Sequence, residues 1–365
     1  MRGQHDPQHF LFTYVSPESR VPAGHPLRTI KAYADAALKE LSATFDEMYS
    51  RTGRPSIPPE RLLKSQLLIA LYSVRSDRLF CETLDYNMLY RWFLDMSLED
   101  PSFDASTFSK NRDRLLEHGV ALKFFDAVVR RARREGLLSD DHFTVDGTLI
   151  EAWASLKSFR PKDGSGDAPP DDPGNPTVNF HGEKRSNQTH ESTTDPQARL
   201  ARKGNGREAR LSYCGNVLME NRHGLCVDLT VGLASGFAER EGAAHMLDRQ
   251  GRKRVRPRTL GGDKGFHTWD FVELCRERGI IPHIAMKSTR IKARLDGRTT
   301  RHESYAISQR VRKRVEEIFG WMKTVGGLRK TRFRGPDRIQ QHAHWVGAAY
   351  NLLRMSKLRP IAGIT

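Results

Sequence analysis

Residues 142–150 read His142-Phe143-Thr144-Val145-Asp146-Gly147-Thr148-Leu149-Ile150. Upstream of them apolar residues recur at three- and four-residue spacing. Here the period changes, and a run rich in β-branched residues predicts a buried strand. An acid inside such a strand needs a reason, because desolvating a carboxylate without a partner is costly and a divalent cation is the usual remedy. A second acid ends the short strand expected at Thr259-Leu260-Gly261-Gly262-Asp263.

Working outward, residues 29–136 carry a helical pattern, so residues 1–138 read as an all-helical N-terminal domain. Pro58 and Pro59 suit the first turn of one helix, with Ser56 as its cap. Two shorter helices, 76–96 and 104–117, flank the Pro101 loop, and the second is expected to expose Ser109, Lys110, Arg112 and Arg114. A DNA-recognition helix and a solvated basic face fit that pattern equally. Residues 139–358 form a second domain. Within it, 158–207 are crowded with Gly, Pro, Asp, Lys and Asn and are expected to be a long loop insertion. A hairpin follows, with strands 210–220 and 225–233 around Asn221-Arg222-His223-Gly224. Next come a helix over 239–249, the strand ending at Asp263, a helix over 268–278 and a fifth strand at 280–285. A basic loop over 287–301 leads to helices at 304–323 and 336–358, and 359–365 form a tail. This order predicts an RNase H-like α/β fold, a mixed five-stranded sheet with helices on both faces.

The 365 residues carry a formal net charge of +16 and a pI near 9.9, which a polyanion-binding surface requires and which makes nucleic acid, double-stranded DNA included, the leading partner class. Neither a 20-residue apolar run, a signal-peptide core nor a lipidation motif is present, so no membrane role and a cytoplasmic location are expected. Cys81, Cys214, Cys226 and Cys275 are scattered without a C-x-x-C pair, and the fourteen histidines form no metal-binding cluster; structural zinc is not expected.

Two strand-end aspartates and one carboxylate from a nearby helix can hold two Mg²⁺ ions about 4 Å apart, which clamp the attacking and leaving oxygens of a phosphodiester. The third acid is expected on the 304–323 helix, where Glu316 and Glu317 compete. Its apolar stripe is Ile307, Val311, Val315, Ile318, Phe319 and Met322. At about 100° per residue, Arg312, Gly320 and Lys323 all fall within about 40° of Glu316, whereas Glu317 points about 100° away. One acid flanked by two bases suits a metal-bound phosphate, which favours Glu316. Alternatively, Arg312 and Glu316 form only a solvated i,i+4 pair.

These residues resemble the third-acid motif of a known family, Arg312-x3-Glu316-x6-Lys323. Thr144-Val145-Asp146-Gly147-Thr148 and Gly261-Gly262-Asp263-Lys264-Gly265-Phe266 are similar to its first- and second-aspartate motifs. The chain as a whole resembles bacterial insertion-sequence transposases of the IS5 and IS1182 type, within the IS4-like group of DDE transposases. In the family pattern a tyrosine stands three residues before the arginine, where this chain has Gln309. Residues 179–204 are similar to a segment of IS1182-type relatives.

The resemblance implies hydrolysis at the ends of a mobile element, then attack of the freed 3′-hydroxyl on target DNA, in a bacterial, nucleoid-associated setting. Asp146, Asp263 and Glu316 would be the catalytic, metal-binding acids for two Mg²⁺ or Mn²⁺ ions. Lys264, Arg312 and Lys323 would bind phosphate, Arg329, Lys330 and Arg332 would track the DNA backbone, and Lys110 and Arg112 would contact the terminal inverted repeats. A homodimer or larger assembly is expected on DNA. An RNase H-like nuclease or resolvase would use the same acids without strand transfer. A transposase-derived repressor would tolerate loss of an acid, and the intact acids argue against it.

Overall fold

The computed structural model describes residues 14–50, 52–53, 56–162, 185–203, 208–287 and 295–359. The expected basic loop and insertion lie partly outside these residues, and the tail almost wholly outside them. Eight strands are defined among them: β1 His142–Glu151, β2 Phe159–Pro161, β3 His190–Ser192, β4 Arg199–Ala201, β5 Arg210–Glu220, β6 Leu225–Leu233, β7 Thr259–Gly262 and β8 Ile281–Ile284.

β1 is the hinge of the sheet. It pairs antiparallel with β5 over its length, Asp146 opposite Val217, and parallel with β7 only at its start, Phe143 opposite Leu260 and Thr144 opposite Gly261. β7 continues in parallel to β8, and β5 runs antiparallel to β6. The path β6-β5-β1-β7-β8, with three antiparallel strands and then two parallel to β1, is the RNase H-like arrangement expected from the order of elements.

The sheet nevertheless has six strands rather than five, because β4, inside the segment read as loop, pairs with Arg210–Ser212 of β5 where β6 leaves that edge free. β2 and β3 form a separate two-stranded ribbon in the same segment. Side-chain contacts rather than periodicity hold this insertion down: Tyr213 Oη donates to the buried Asp195 at 2.7 Å, and His190 stacks on Phe159.

Helices cover both faces. Asn216 and Leu229 occupy opposite faces, since Asn216 pairs with Thr230 and Leu229 with Val217. Gly242 of the helix Ala238–Arg252 lies against Asn216, and Gly347 of the helix Pro336–Leu358 lies against Leu229. The long Pro336–Leu358 helix is buried on every side, from Gln341 through Leu352 without a break. It packs on β6 and also on the N-terminal helices Pro26–Lys39, Pro59–Leu71 and Val120–Arg134, with Trp345 against Phe124 at 5.7 Å. One hydrophobic core therefore runs from Val21 to Met355.

Two local expectations are corrected. The helix Pro59–Leu71 starts without a side-chain cap, and Ser56 instead bonds Asn111 across to another helix. The helix read over 304–323 is broken: Glu303–Val311 and Val315–Thr324 are joined by a tight 3₁₀ turn at Arg312–Arg314. Three consecutive cations disfavour a regular turn here, and Arg314 is drawn aside to the carbonyls of Asn221 and Arg222 at 2.9 Å. The apolar stripe is accordingly buried only in its second half, and Ile307 is exposed. Among the described residues no helix is long and apolar enough to cross a membrane.

Candidate active site

Past Thr144 the β7 edge of β1 is no longer paired, and Asp146 stands on that free edge. Asp263 follows β7 directly and caps a short 3₁₀ turn, its Oδ1 accepting from Gly265 N–H at 2.7 Å. Asp146 Oδ1 accepts from Gly147 N–H at 2.8 Å. Both acids are half-buried and lie close enough to sense each other. Burial, then the neighbouring Asp263 and Glu239 carboxylates, push the Asp146 carboxyl up to about 6 against the opposing Gly147 hydrogen bond and the Arg312 charge.

Arg312 enters from the 3₁₀ turn, its Cβ 3.6 Å from where a Cβ on Gly261 would stand. Its Nε donates to Gln309 Oε1 at 3.1 Å, and Gln309 Nε2 donates to the His283 carbonyl of β8 at 2.5 Å. Gln309 thus occupies the family's tyrosine position as an orienting group that ties Arg312 to the sheet.

Glu316 and Glu317 diverge. Glu317 pairs with Arg354 of the last helix at 3.5 Å, whereas Glu316 is exposed and has neither a hydrogen-bond nor an ion-pair partner among the described residues. Glu316 is not among the charges acting most strongly on Asp146. The acid that does accompany the two aspartates is Glu239, in the first turn of Ala238–Arg252, half-buried and with its own carboxyl raised by burial and by Asp263. Reading strands and motifs passed over it, because an acid in a first helical turn is ordinary. Among the described residues no three His, Cys, Asp or Glu side chains stand close enough to close around one ion. The donors nonetheless fit a divalent cation. They are all carboxylate oxygens, which suit Mg²⁺ or Mn²⁺.

The expected phosphate ligands fall into two groups. Lys264, Lys110 and Arg329 are exposed, and Lys323 is half-buried with its ammonium pushed down by burial and by the nearby Lys203 and Arg329 charges. None of these cations has a carboxylate partner among the described residues. The others are engaged internally. Lys330 pairs with Glu151 at 3.3 Å, where residues 329–331 zip onto the end of β1. Arg332 stacks on Phe333 and reaches Asp77 at 3.5 Å. Arg112 was expected at the surface and is not; it forms an ion pair with Asp77 and lies over the Phe333 ring at 5.0 Å. Ser109 turns to the same aspartate. Asp77 thus draws in Arg112 and Ser109 from the face of Ala105–Glu117 that fits a recognition helix and a solvated basic face equally, and leaves Lys110 outside.

Two family models match the chain: "Transposase domain" over residues 15–114 and "Transposase DDE domain" over 180–352, together about three quarters of its length. No curated protein matches. Among solved structures, a piggyBac transposase synaptic complex with hairpin DNA is 10% identical, covering 93% of this chain and 77% of its own with a TM-score of 0.39. A Mos1 transposase paired-end complex with left transposon end is 13% identical over 76% and 81%, with a TM-score of 0.20, likenesses too slight to argue from. With one transposase model on the N-terminal helices and the transposase DDE model running from β3 into the last helix, the chain belongs to the IS5/IS1182-type DDE transposases.

Proposed function

We propose that this DNA transposase, an enzyme of DNA cleavage and strand transfer, works through Asp146, Asp263 and Glu316 with two Mg²⁺ or Mn²⁺ ions. The observation that carries the reading is the pairing of Thr144 with Gly261, which sets Asp146 and Asp263 two residues beyond one matched position on parallel neighbouring strands. DDE transposases use divalent metal ions, and when bound these supply charge to a phosphate and its attacking and leaving oxygens.

The protein's own groups hold and neutralise the substrate. Asp146 and Asp263 each have one carboxylate oxygen held by a neighbouring N–H group, that of Gly147 and of Gly265, so both acids are fixed before a substrate arrives. Glu316, without a partner among the described residues, turns toward them when the ions bind. Arg312, held by Gln309, puts a guanidinium beside Asp146 where it neutralises a non-bridging phosphate oxygen. In cleavage, water adds to phosphorus and the 3′-oxygen of the element leaves as a hydroxyl. In strand transfer that hydroxyl attacks a target phosphodiester and displaces the target's own 3′-oxygen. Lys264, Lys323 and Arg329 line the duplex path, since like charges without counterions favour a polyanion. Residues 1–138 grip the terminal inverted repeat with Lys110, 139–358 carry the chemistry on that end and on target DNA, and two or more copies act together on paired ends.

Cleavage of a DNA bearing the element's end tests this. D146N, D263N and E316Q are each expected to lose at least about 100-fold in rate while DNA affinity holds, and E317A to stay near wild type. More than about a tenth of wild-type activity in D146N or D263N overturns the assignment, and inactivation by E317A but not E316Q moves the third acid.

A further inference from the structure

Residues 249–258, at the end of the helix Ala238–Arg252 and beyond it, carry six cations and no acid. Three are tied down: Arg249 to Asp228 at 2.8 Å, Lys253 to Asp126 at 2.7 Å and Arg258 to Asp141 at 3.2 Å. Arg252, Arg254 and Arg256 are exposed and have no partner among the described residues. Arg252 and Arg256 line an open groove of about 720 Å³ with Arg276 and Arg278. The two acids beside them, Asp248 and Glu277, both approach Arg278, at 2.8 and 4.0 Å, and leave the free cations unserved.

Arg254 is the least expected of the three. The helix closes with Arg254 N–H on the Gly251 carbonyl at 3.0 Å and Val255 N–H on the Gln250 carbonyl at 2.9 Å, which puts residue 254 in the left-handed region, φ 59°. Two other helices close with the same pair of bonds, and there the residue is Gly136 or Gly279. Ser73 and Asp95 also take this conformation, but each is short and has an internal partner, the Val325 carbonyl for Ser73 and Lys31 for Asp95. Arg254 is long, has no such partner, and stands where glycine would stand at lower cost. The partial negative charge of the helix end favours Arg252, but it fades within the last turn and does not reach Arg256, four residues past the helix.

This helix begins beside the acids, where Gly147 leaves room for Glu239, and its 15 residues carry the basic end about 20 Å away. It covers the Asn216 face of the sheet, whereas Lys323 lies over the opposite face with Ile150 and Leu229. A duplex on the Lys323 and Arg329 path therefore leaves these arginines bare. We infer that Arg252, Arg254 and Arg256 form a second DNA-binding surface, which holds the phosphate backbone of a further duplex without reading its bases. The apolar residues beside them, Leu247, Pro257 and Ile280, are buried, so the surface offers charge without an apolar anchor, which suits a regular polyanion rather than a folded protein. The inference rests on the proposed duplex path over the other face, and not on the metal ligands.

The test is binding of a short labelled duplex, lacking the element's end, to the full-length protein. Duplexes bound per chain are counted by analytical ultracentrifugation, and affinity is followed against salt beside the melting temperature. Wild type is expected to bind two duplexes per chain. R252A/R254G/R256A should bind one, with the salt dependence flatter by about two to three phosphate contacts. R254G alone should weaken the second duplex several-fold while melting at or above wild type, because it relieves the backbone as it removes the charge; it also keeps the test open should the triple variant fold poorly. K323E/R329E should lose the other duplex. If K323E/R329E loses one duplex and the triple variant still binds two, the second surface is overturned and the first stands. If neither variant changes the count or the salt dependence, both fall together. A wild-type chain that binds a single duplex overturns the proposal, as does displacement of the second duplex by polyglutamate at lower concentration than by unlabelled duplex.

Discussion

Thr144 of β1 sits directly opposite Gly261 of β7, and a methyl group at 261 would stand 3.1 Å from Thr144 Oγ1 and 3.5 Å from the Phe143 carbonyl. The closeness of that pair sets the spacing of the two strands just before they release Asp146 and Asp263. Thr144 Oγ1 is buried without a hydrogen-bond partner, so the contact is one of packing.

Widening this pair should therefore disturb the acids. G261V is expected to destabilise the protein by about 1–3 kcal/mol, the usual cost of overpacking, and to reduce cleavage more than its stability loss explains. G261A should be milder. Urea unfolding beside a cleavage assay measures both, and a G261V protein of wild-type rate and stability would show that this contact does not govern the site.

Gln309 should act through Arg312. R312A is expected to cut cleavage by about 10- to 1,000-fold, the range for losing one charged stabiliser of a developing oxyanion, with folding intact. Q309A should fall between it and wild type and be additive with R312A only in part, since both changes remove one effect. Single-turnover cleavage of a pre-nicked end decides; full additivity would mean that Gln309 works independently of Arg312.

The unpaired and the internally paired cations should separate in binding experiments. K323E and R329E are expected to weaken DNA binding and flatten its dependence on salt by about one phosphate contact each. R112A should instead lower stability by about 1–3 kcal/mol by removing the nearest cation of Asp77, which then keeps only Ser109 and the more distant Arg332, with the salt slope unchanged. A slope altered by R112A and not by K323E would reverse these roles.

Stability should decline on mild acidification. Burial, helped by the Arg332 and Arg112 charges, pushes His342 down to about 3, and burial with Arg249 and Lys253 does the same to His344. Gln340 fixes the neutral form of His344: its Oε1 accepts from Val231 N–H at 2.6 Å, so its Nε2 must donate to His344 Nε2, 3.0 Å away. The unfolded chain takes up these protons near pH 6.5 and the native protein only near 3. Their contribution is therefore complete above about pH 6.5 and is lost progressively as pH falls toward 3. Urea midpoints between pH 7.5 and 5 should fall, and less steeply in H344Q. A flat profile would mean that these side chains titrate normally in the folded state.

The sequence by itself determined what short-range periodicity can carry. A β-branched run interrupted by an acid marked β1, a short segment ending in an acid marked β7, the turn at residues 221–224 marked the hairpin, and the order of elements implied the layer fold, because composition and strand-end acids are local properties of the chain. Three-residue strands such as β4 are too short to show a period, and they form only because β5 has an unpaired edge to offer. The long last helix, with Gln340, Gln341, His342 and His344 near its start, does not announce that it will be enclosed; its burial comes from the N-terminal helices closing over it. The fates of Arg112 and Glu239 were likewise decided in three dimensions. A helical wheel gives direction without partner, so it could not reveal that Asp77 meets one or that Gly147, more than ninety residues earlier, makes room for the other.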